Sequence, residues 1–291
     1  MNDGHVGDGG GREFERVAGE LRARMADGTY GLNSFLPPQR RLADDFGVSR
    51  DTVQRVLREL RSEGWIETRQ GSGSRVIRTQ YIHSPTSSER PDRTVTLGPL
   101  INQAFEQDEV VLDVYTLTSE SLEAHIRTQT ERIQAGQIAP RRIALRMLLP
   151  SESMDHPYWR TGDPEDDEAL KDRLRAIARR HTLSLRTVLN DWRTMGLVPS
   201  VDVEIRWVPL TPTFKLYLIN GTAALYGLYE VFSRPIALDD GREVVATDVF
   251  GLGARLTHHV KDADPHAQAT VFVESMQAWF DSVWGHLSVS R

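Results

Sequence analysis

The stretch 37–76 constrains this chain most, because start, stop and turn signals for two helices and a hairpin follow one another there without a gap. Pro37 and Pro38 suit the opening of a helix, since the N–H that proline lacks is among the unpaired donors of a first turn. Leu42, Ala43 and Phe46 give that helix an apolar face, and Gly47 supplies a left-handed stop. Only Val48 separates it from Ser49, an N-cap residue, and Asp51 then sits in a first turn where the helix dipole favours negative charge. In this second helix Val53, Val56, Leu57 and Leu60 share one face, so Arg50, Gln54, Arg58 and Arg61 look outward. Beyond Gly64 the alternating segments 65–69 and 74–77 flank Gln70-Gly71-Ser72-Gly73 and predict a β-hairpin wing. Upstream, Phe14, Val17, Ala18, Leu21 and Met25 form the stripe of a packing helix that Gly28 ends.

A helix with an arginine- and glutamine-bearing face suits the major groove of DNA, about 12 Å wide, where Arg and Gln form paired hydrogen bonds with guanine and adenine edges. Arg50 and Gln54, nearest the amino end, are the expected base readers. Arg69 and Arg75 flank the glycine-rich tip and are expected to meet phosphates as the wing enters the minor groove. The net charge of −6 argues against nucleic-acid binding only if charge is spread evenly, and it is not. Residues 34–78 hold nine arginines against six carboxylates, so this segment is basic inside an acidic chain.

A length of 291 residues fits two domains at roughly 100–200 residues each. The composition, 39% hydrophobic and 26% charged, leaves apolar material for two cores. No apolar run approaches the eighteen or so residues that cross a bilayer, and the start MNDGHVGDGGGREFE lacks the basic flank and apolar stretch of a signal peptide. The expectation is a cytoplasmic protein with no membrane partner. The absence of cysteine removes disulfides, thiolate nucleophiles and Cys-ligated metals. His258 and His259, being adjacent, point to different sides of helix or strand and suit chelation poorly, so no metal, cofactor or catalytic residue is assigned. The expected divisions are a disordered leader at 1–12, a winged helix-turn-helix at 13–80, a proline-punctuated linker at 81–94 and an α/β effector-binding and dimerisation domain at 95–291.

The run LPPQRRLADDFGVSRDTVQRVLRELRSEGWIETRQGSGSRV resembles the winged helix of the GntR family of bacterial regulators throughout. That resemblance implies DNA contacts from Arg40, Ser49, Arg50, Thr52 and Gln54, and from Gly73 of the wing. It also implies a homodimer on a palindromic operator, as paired half-sites are usual for helix-turn-helix proteins. Pro38-Gln39 stands where the family usually has Ser-Glu, and Gln54 where it usually has Arg, so operator preference is expected to depart from the family norm.

In the second domain, apolar runs at 110–117, 142–149 and 203–210 alternate with helical stretches at 121–135 and 168–191, which implies an α/β sheet, partly parallel. This disfavours the all-helical effector domain of the FadR-type branch, and too few residues remain for the aminotransferase-like domain of the MocR-type branch. The acidic run 163–168 predicts a helix start, and Val271, Met276, Trp279, Phe280 and Val283 a closing amphipathic helix, with Trp284 offered to the core or to a dimer face. TFKLYLINGTAALYGLYEV joins two apolar runs at Asn220-Gly221, a hairpin signal. The same run resembles the phospholipase D superfamily signature, with Lys215 in the lysine position and Gly227 in that of the later glycine. Thr213 replaces the nucleophilic histidine and Asn220 the aspartate, so the resemblance implies a retired catalytic fold kept for binding, with no phosphohistidine chemistry. Thr213, Lys215 and Asn220 would then line a pocket for a phosphate- or carboxylate-bearing effector. On the residues alone, Lys215 is equally a solvated strand lysine and Asn220-Gly221 a type I′ turn. The alternative fold is the UTRA-type, chorismate-lyase-like sensor domain. The expectation overall is a ligand-responsive, dimeric DNA-binding repressor. The rivals are a phosphodiesterase-like enzyme with a DNA-targeting winged helix, or a constitutive binder whose second domain only dimerises.

Overall fold

The computed structural model describes residues 9–69, 73–77, 81–83, 95–238, 240–249, 251 and 254–290. The chain divides into two compact units, Met1–Thr79 and Gln80–Arg291. In the first, α1 (Gly9–Ala26), α2 (Gln39–Phe46) and α3 (Arg50–Glu63) precede β1 (Ile66–Arg69) and β2 (Gly73–Val76). Helix α1 begins at Gly9, inside the expected leader; the rest of that leader, 1–8, lies outside the described residues. Val17, Leu21 and Met25 of α1 are buried with Leu42 of α2 and with Val53, Val56 and Leu60 of α3, as the apolar stripes require.

The wing pairs β1 with β2 antiparallel, Ile66 opposite Val76. The segment before α2 joins it: the Val76 N–H donates to the Ser34 carbonyl at 2.9 Å and the Leu36 N–H to that of Ser74 at 2.8 Å. No alternation marks residues 34–36 as a strand, so this third edge was invisible in the sequence. One charge pair is equally unheralded. Arg22 Nε and Nη2 donate to the two carboxylate oxygens of Glu63 at 2.8 and 2.7 Å, and both side chains are buried. This bidentate pair ties α1 to the last turn of α3.

The second unit is an α/β domain with a mixed sheet. Its strands are β3 (Tyr81–His83), β4 (Val95–Thr96), β5 (Glu109–Tyr115), β6 (Arg142–Pro150), β7 (Ser200–Val208), β8 (Phe214–Ile219), β9 (Ala223–Leu228), β10 (Val231–Ala237), β11 (Glu243–Val249), β12 (Leu256–Val260) and β13 (Val289–Ser290). Nine of them form one sheet in the order β13-β7-β6-β5-β8-β9-β12-β3-β4, while β10 and β11 pair separately. Helices α4 (Leu97–Ala104), α5 (Glu120–Gln134) and α6 (Pro164–Thr194) pack on one face, and α7 (Gln268–His286) on the other. Strands β5, β6 and β7 are parallel and need the helical crossovers that α5 and α6 supply. The expected strands and helices are present within a few residues of their forecast bounds, and α6 starts where the acidic run placed it, capped by Asp163 with Pro164 next. One boundary differs: Tyr81–His83, assigned to the linker, is a strand paired with β12 and β4, and the remainder of that linker, 84–94, lies outside the described residues.

The hairpin β8–β9 turns at Asn220 and Gly221, both at positive φ, 52° and 64°, as a type I′ turn demands. Gly227 has a different reason to be glycine. A Cβ there would stand 2.4 Å from the Arg255 carbonyl oxygen, because the chain entering β12 passes against it.

Arg22→Ala leaves Glu63 buried without its guanidinium and is expected to cost the amino-terminal unit about 3–5 kcal/mol, whereas the double change Arg22→Met with Glu63→Leu recovers most of that loss. Urea unfolding of the three proteins checks this.

Candidate nucleic-acid interface and effector-domain site

The helix-turn-helix corner is built from three consecutive residues. Gly47, at φ 64°, closes α2 with its N–H on the carbonyls of Ala43 and Asp44, and the Val48 N–H also reaches Ala43, at 3.0 Å. Ser49 then caps α3, its Oγ accepting from the Thr52 N–H at 3.0 Å. Arg50, Gln54, Arg58 and Arg61 are exposed along one side of α3, and Arg40 is exposed on α2. Arg55 turns away from that face, its guanidinium 5.2 Å from the Phe14 ring centre.

Two of the residues expected to contact DNA have partners within their own unit. Thr52 is buried, with its hydroxyl 2.9 Å from Ser49 Oγ, so it serves the cap and the core instead of the outward face. Arg75 is committed across the wing to Glu67, its register partner, with Nε donating at 2.8 Å. Gly73 is exposed at φ 86°, a left-handed geometry that glycine adopts without strain. The side chain of Arg69 and the tip 70–72 lie outside the described residues.

In the α/β domain the structure does not gather Thr213, Lys215 and Asn220. Thr213 and Lys215 lie at the start of β8, and Asn220 is past its other end, some 16 Å from Lys215 at about 3.3 Å per residue. Asn220 is engaged there in the turn, its Oδ1 accepting from the Val111 N–H at 2.8 Å. Neither is Lys215 a solvated strand lysine. It is 3% exposed, and its ammonium donates to the Gly251 carbonyl at 2.9 Å and lies 5.9 Å from the centre of the Tyr229 ring. Burial pulls its pKa down to about 8, against the opposing pull of Glu120. A histidine not singled out from the sequence, His125 on α5, is buried near enough to feel that ammonium. Burial first, and Lys215 second, hold its pKa down at about 4, and its Nδ1 has no hydrogen-bond partner among the described residues.

A second feature had no signal beyond helical spacing. A cavity of about 190 Å³ lies between α6, the carboxyl ends of β5 and β6, and the loop that follows β6. Thr213, Lys215 and Asn220 are not in its walls. Among the described residues, no helix is long and apolar enough to cross a membrane.

Lys215 has a measurable stability signature. Its ammonium persists in the unfolded chain up to about pH 10.4, but in the folded protein only to about 8, so the protonated lysine opposes folding below pH 8 and that penalty fades as pH rises toward 10.4. Lys215→Met is therefore expected to stabilise the domain at pH 7 by about 2 kcal/mol after loss of the Gly251 hydrogen bond. The advantage should shrink towards zero near pH 10, as followed by thermal unfolding across pH.

Residues 14–76 match the model for bacterial regulatory proteins of the gntR family. The Exu regulon transcriptional regulator of Escherichia coli K12 is 36% identical over 72 residues, 25% of this chain and 28% of that protein. The Uxu operon regulator of Haemophilus influenzae is 32% identical over 81 residues, 28% of this chain and 30% of that protein. The chain thus spans less than a third of the length of these curated relatives. Among solved structures, a transcriptional regulator from Oenococcus oeni aligns over 26% of this chain and 61% of its own, at 21% identity and a TM-score of 0.20. The family match and the two regulators support the winged helix and lend no support to a phospholipase D-like domain behind it. Residues 14–76 form a winged helix similar to that of the gntR family of bacterial regulatory proteins.

Proposed function

We propose that this chain is a ligand-responsive transcriptional repressor that binds a palindromic operator as a homodimer and releases it when the α/β domain takes up an effector. The observation that carries the DNA-binding half is the face of α3. Four side chains suited to base edges and phosphates, Arg50, Gln54, Arg58 and Arg61, stand exposed on a helix whose opposite face is wholly committed to the core. Arg40, Ser49 and Gly73 complete the proposed contact set, with Arg69 on the phosphate backbone. The matched relatives are named as regulators of an operon or a regulon, which agrees with this reading.

The effector half rests on the cavity of about 190 Å³ beside α6, the kind of concave, largely apolar space that binds small molecules. An effector alters operator affinity only through different affinities for two dimer geometries, and coupling of about 1–3 kcal/mol corresponds to roughly 5–150-fold.

Arg50→Ala and Gln54→Ala are each expected to weaken the preferred operator by about 1–3 kcal/mol and to relax base preference at particular positions. Arg69→Ala should instead weaken operator and random DNA alike and lower the salt slope by about one. Titrations of both DNAs at several salt concentrations decide it. Equal losses on both DNAs for all three variants would overturn the assignment of base readers.

A further inference from the structure

The cavity beside α6 has the construction of a binding site. It opens at the carboxyl ends of parallel strands, where open α/β sheets bind their ligands. Leu117, Leu149, Trp159, Leu174 and Trp207 make its walls apolar. On the α6 side, Lys171, Arg175, Arg179 and Arg186 recur with Leu174, Ala178 and Thr182 at spacings of three and four, so one helical stripe presents cations and apolar groups together. Glu152 is the lone carboxylate among the lining residues, and it takes Arg179 at 2.8 Å. Lys171 and Arg175 are paired with acidic groups around the mouth, Asp155, Glu168 and Asp172. Arg186 has no carboxylate partner among the described residues.

Three further observations concern the walls. Trp159 has a φ of 58°, a left-handed conformation uncommon for a bulky residue. It is held there by its N–H on the Thr247 carbonyl at 2.7 Å and by its indole Nε1 on Asp248 at 3.1 Å. His156, among the lining residues, is 7% exposed, and its Nδ1 has no hydrogen-bond partner among the described residues. Leu183, on the same α6 stripe, is left 68% exposed.

We infer that this cavity binds a small amphipathic carboxylate, its aromatic or branched aliphatic body between Trp159 and Trp207 and its anionic group at Arg179 and Arg186. The inference rests on the effector-sensing reading of the α/β domain and names the class of its ligand. An apolar cavity of about 150 Å³ accommodates benzene, so a body of six or so carbons fits. A carboxylate suits the site better than a phosphate, because the apolar walls penalise a second negative charge. Leu117, Trp159 and Leu174 also belong to the cluster that seats β10 and β11, so an occupant bears directly on that hairpin.

Calorimetric titration of the full chain with benzoate, phenylacetate and 4-methylpentanoate tests this, with benzyl alcohol, acetate and inorganic phosphate as comparators. At least one of the first three should bind with Kd below about 1 mM, and all comparators more weakly by at least about tenfold. The double variant Arg179→Ala/Arg186→Ala should weaken that binding by roughly tenfold or more. Ala178→Phe, which fills the space, should abolish it, and the double variant on the helix surface gives a second reading should Ala178→Phe fail to fold. Absence of binding by all three carboxylates at about 10 mM overturns the inference. So does equal binding of acetate or phosphate, which would mean an adventitious ion only, and so does full binding by a folded Ala178→Phe. Operator titration with the bound probe separates the two readings. Binding that leaves operator affinity unchanged keeps the cavity and removes the ligand response, whereas intact operator binding without probe binding removes the cavity alone.

Discussion

The direction in which α3 leaves α2 is fixed over three residues, and the use of the amino-terminal unit follows from that corner. Gly47 adopts a backbone angle that a Cβ would strain, which lets its N–H and that of Val48 close the carbonyls at the end of α2. Ser49 then satisfies a free N–H at the start of α3. With the corner set, burial of Val53, Val56 and Leu60 turns Arg50, Gln54 and Arg58 outward. The Arg22–Glu63 pair fixes the far end of α3 against α1, so the outward face is held at both ends.

The α/β domain is governed by a comparable constraint. Parallel pairing of β5, β6 and β7 obliges the chain to return by a crossover each time, and the sequence supplies α5 and α6 for that purpose. Both helices lie on one face, which leaves the other to α7. Arg146, on β6, links that helix to the sheet: it meets Asp113 of β5 and Asp281 of α7 while lying over the rings of Phe280 and Trp284. Because α6 runs on for 31 residues, its middle turns, from Lys171 to Arg186, wall the cavity.

Buried charge recurs in both units, and its cost is met in different ways. Glu123 on α5 loses hydration, which alone would raise its pKa, but His181, Arg127 and Ser184 hold its carboxyl at about 2. Ser184 and Arg127 donate to it at 2.8 and 2.9 Å, joining α6 to α5. Those bonds all fall on Oε1, while Oε2 faces His181 Nδ1 at 3.6 Å. Among the described residues Lys215 has a carbonyl and an aromatic face as its contacts, so its ammonium is stabilised less than it would be in water.

The sequence by itself determined the winged helix almost entirely, because caps, stops and apolar stripes are local signals read over three or four residues. It also determined the alternation of strands and helices in the second domain, since apolar runs of strand length are interrupted by helical periodicity. What it left open were the features that depend on residues distant in the chain: the third edge of the wing at residues 34–36, the pairing of Arg22 with Glu63 across 41 positions, and the diversion of Arg75 to Glu67. The expected effector set fell for the same reason. Lys215 and Asn220 are five positions apart in sequence, close enough to suggest a shared site, yet an extended strand carries them to opposite ends. The cavity beside α6 draws its walls from segments between 117 and 207, and only the packing of those segments brings an indole, a helical row of cations and the strand ends around one space.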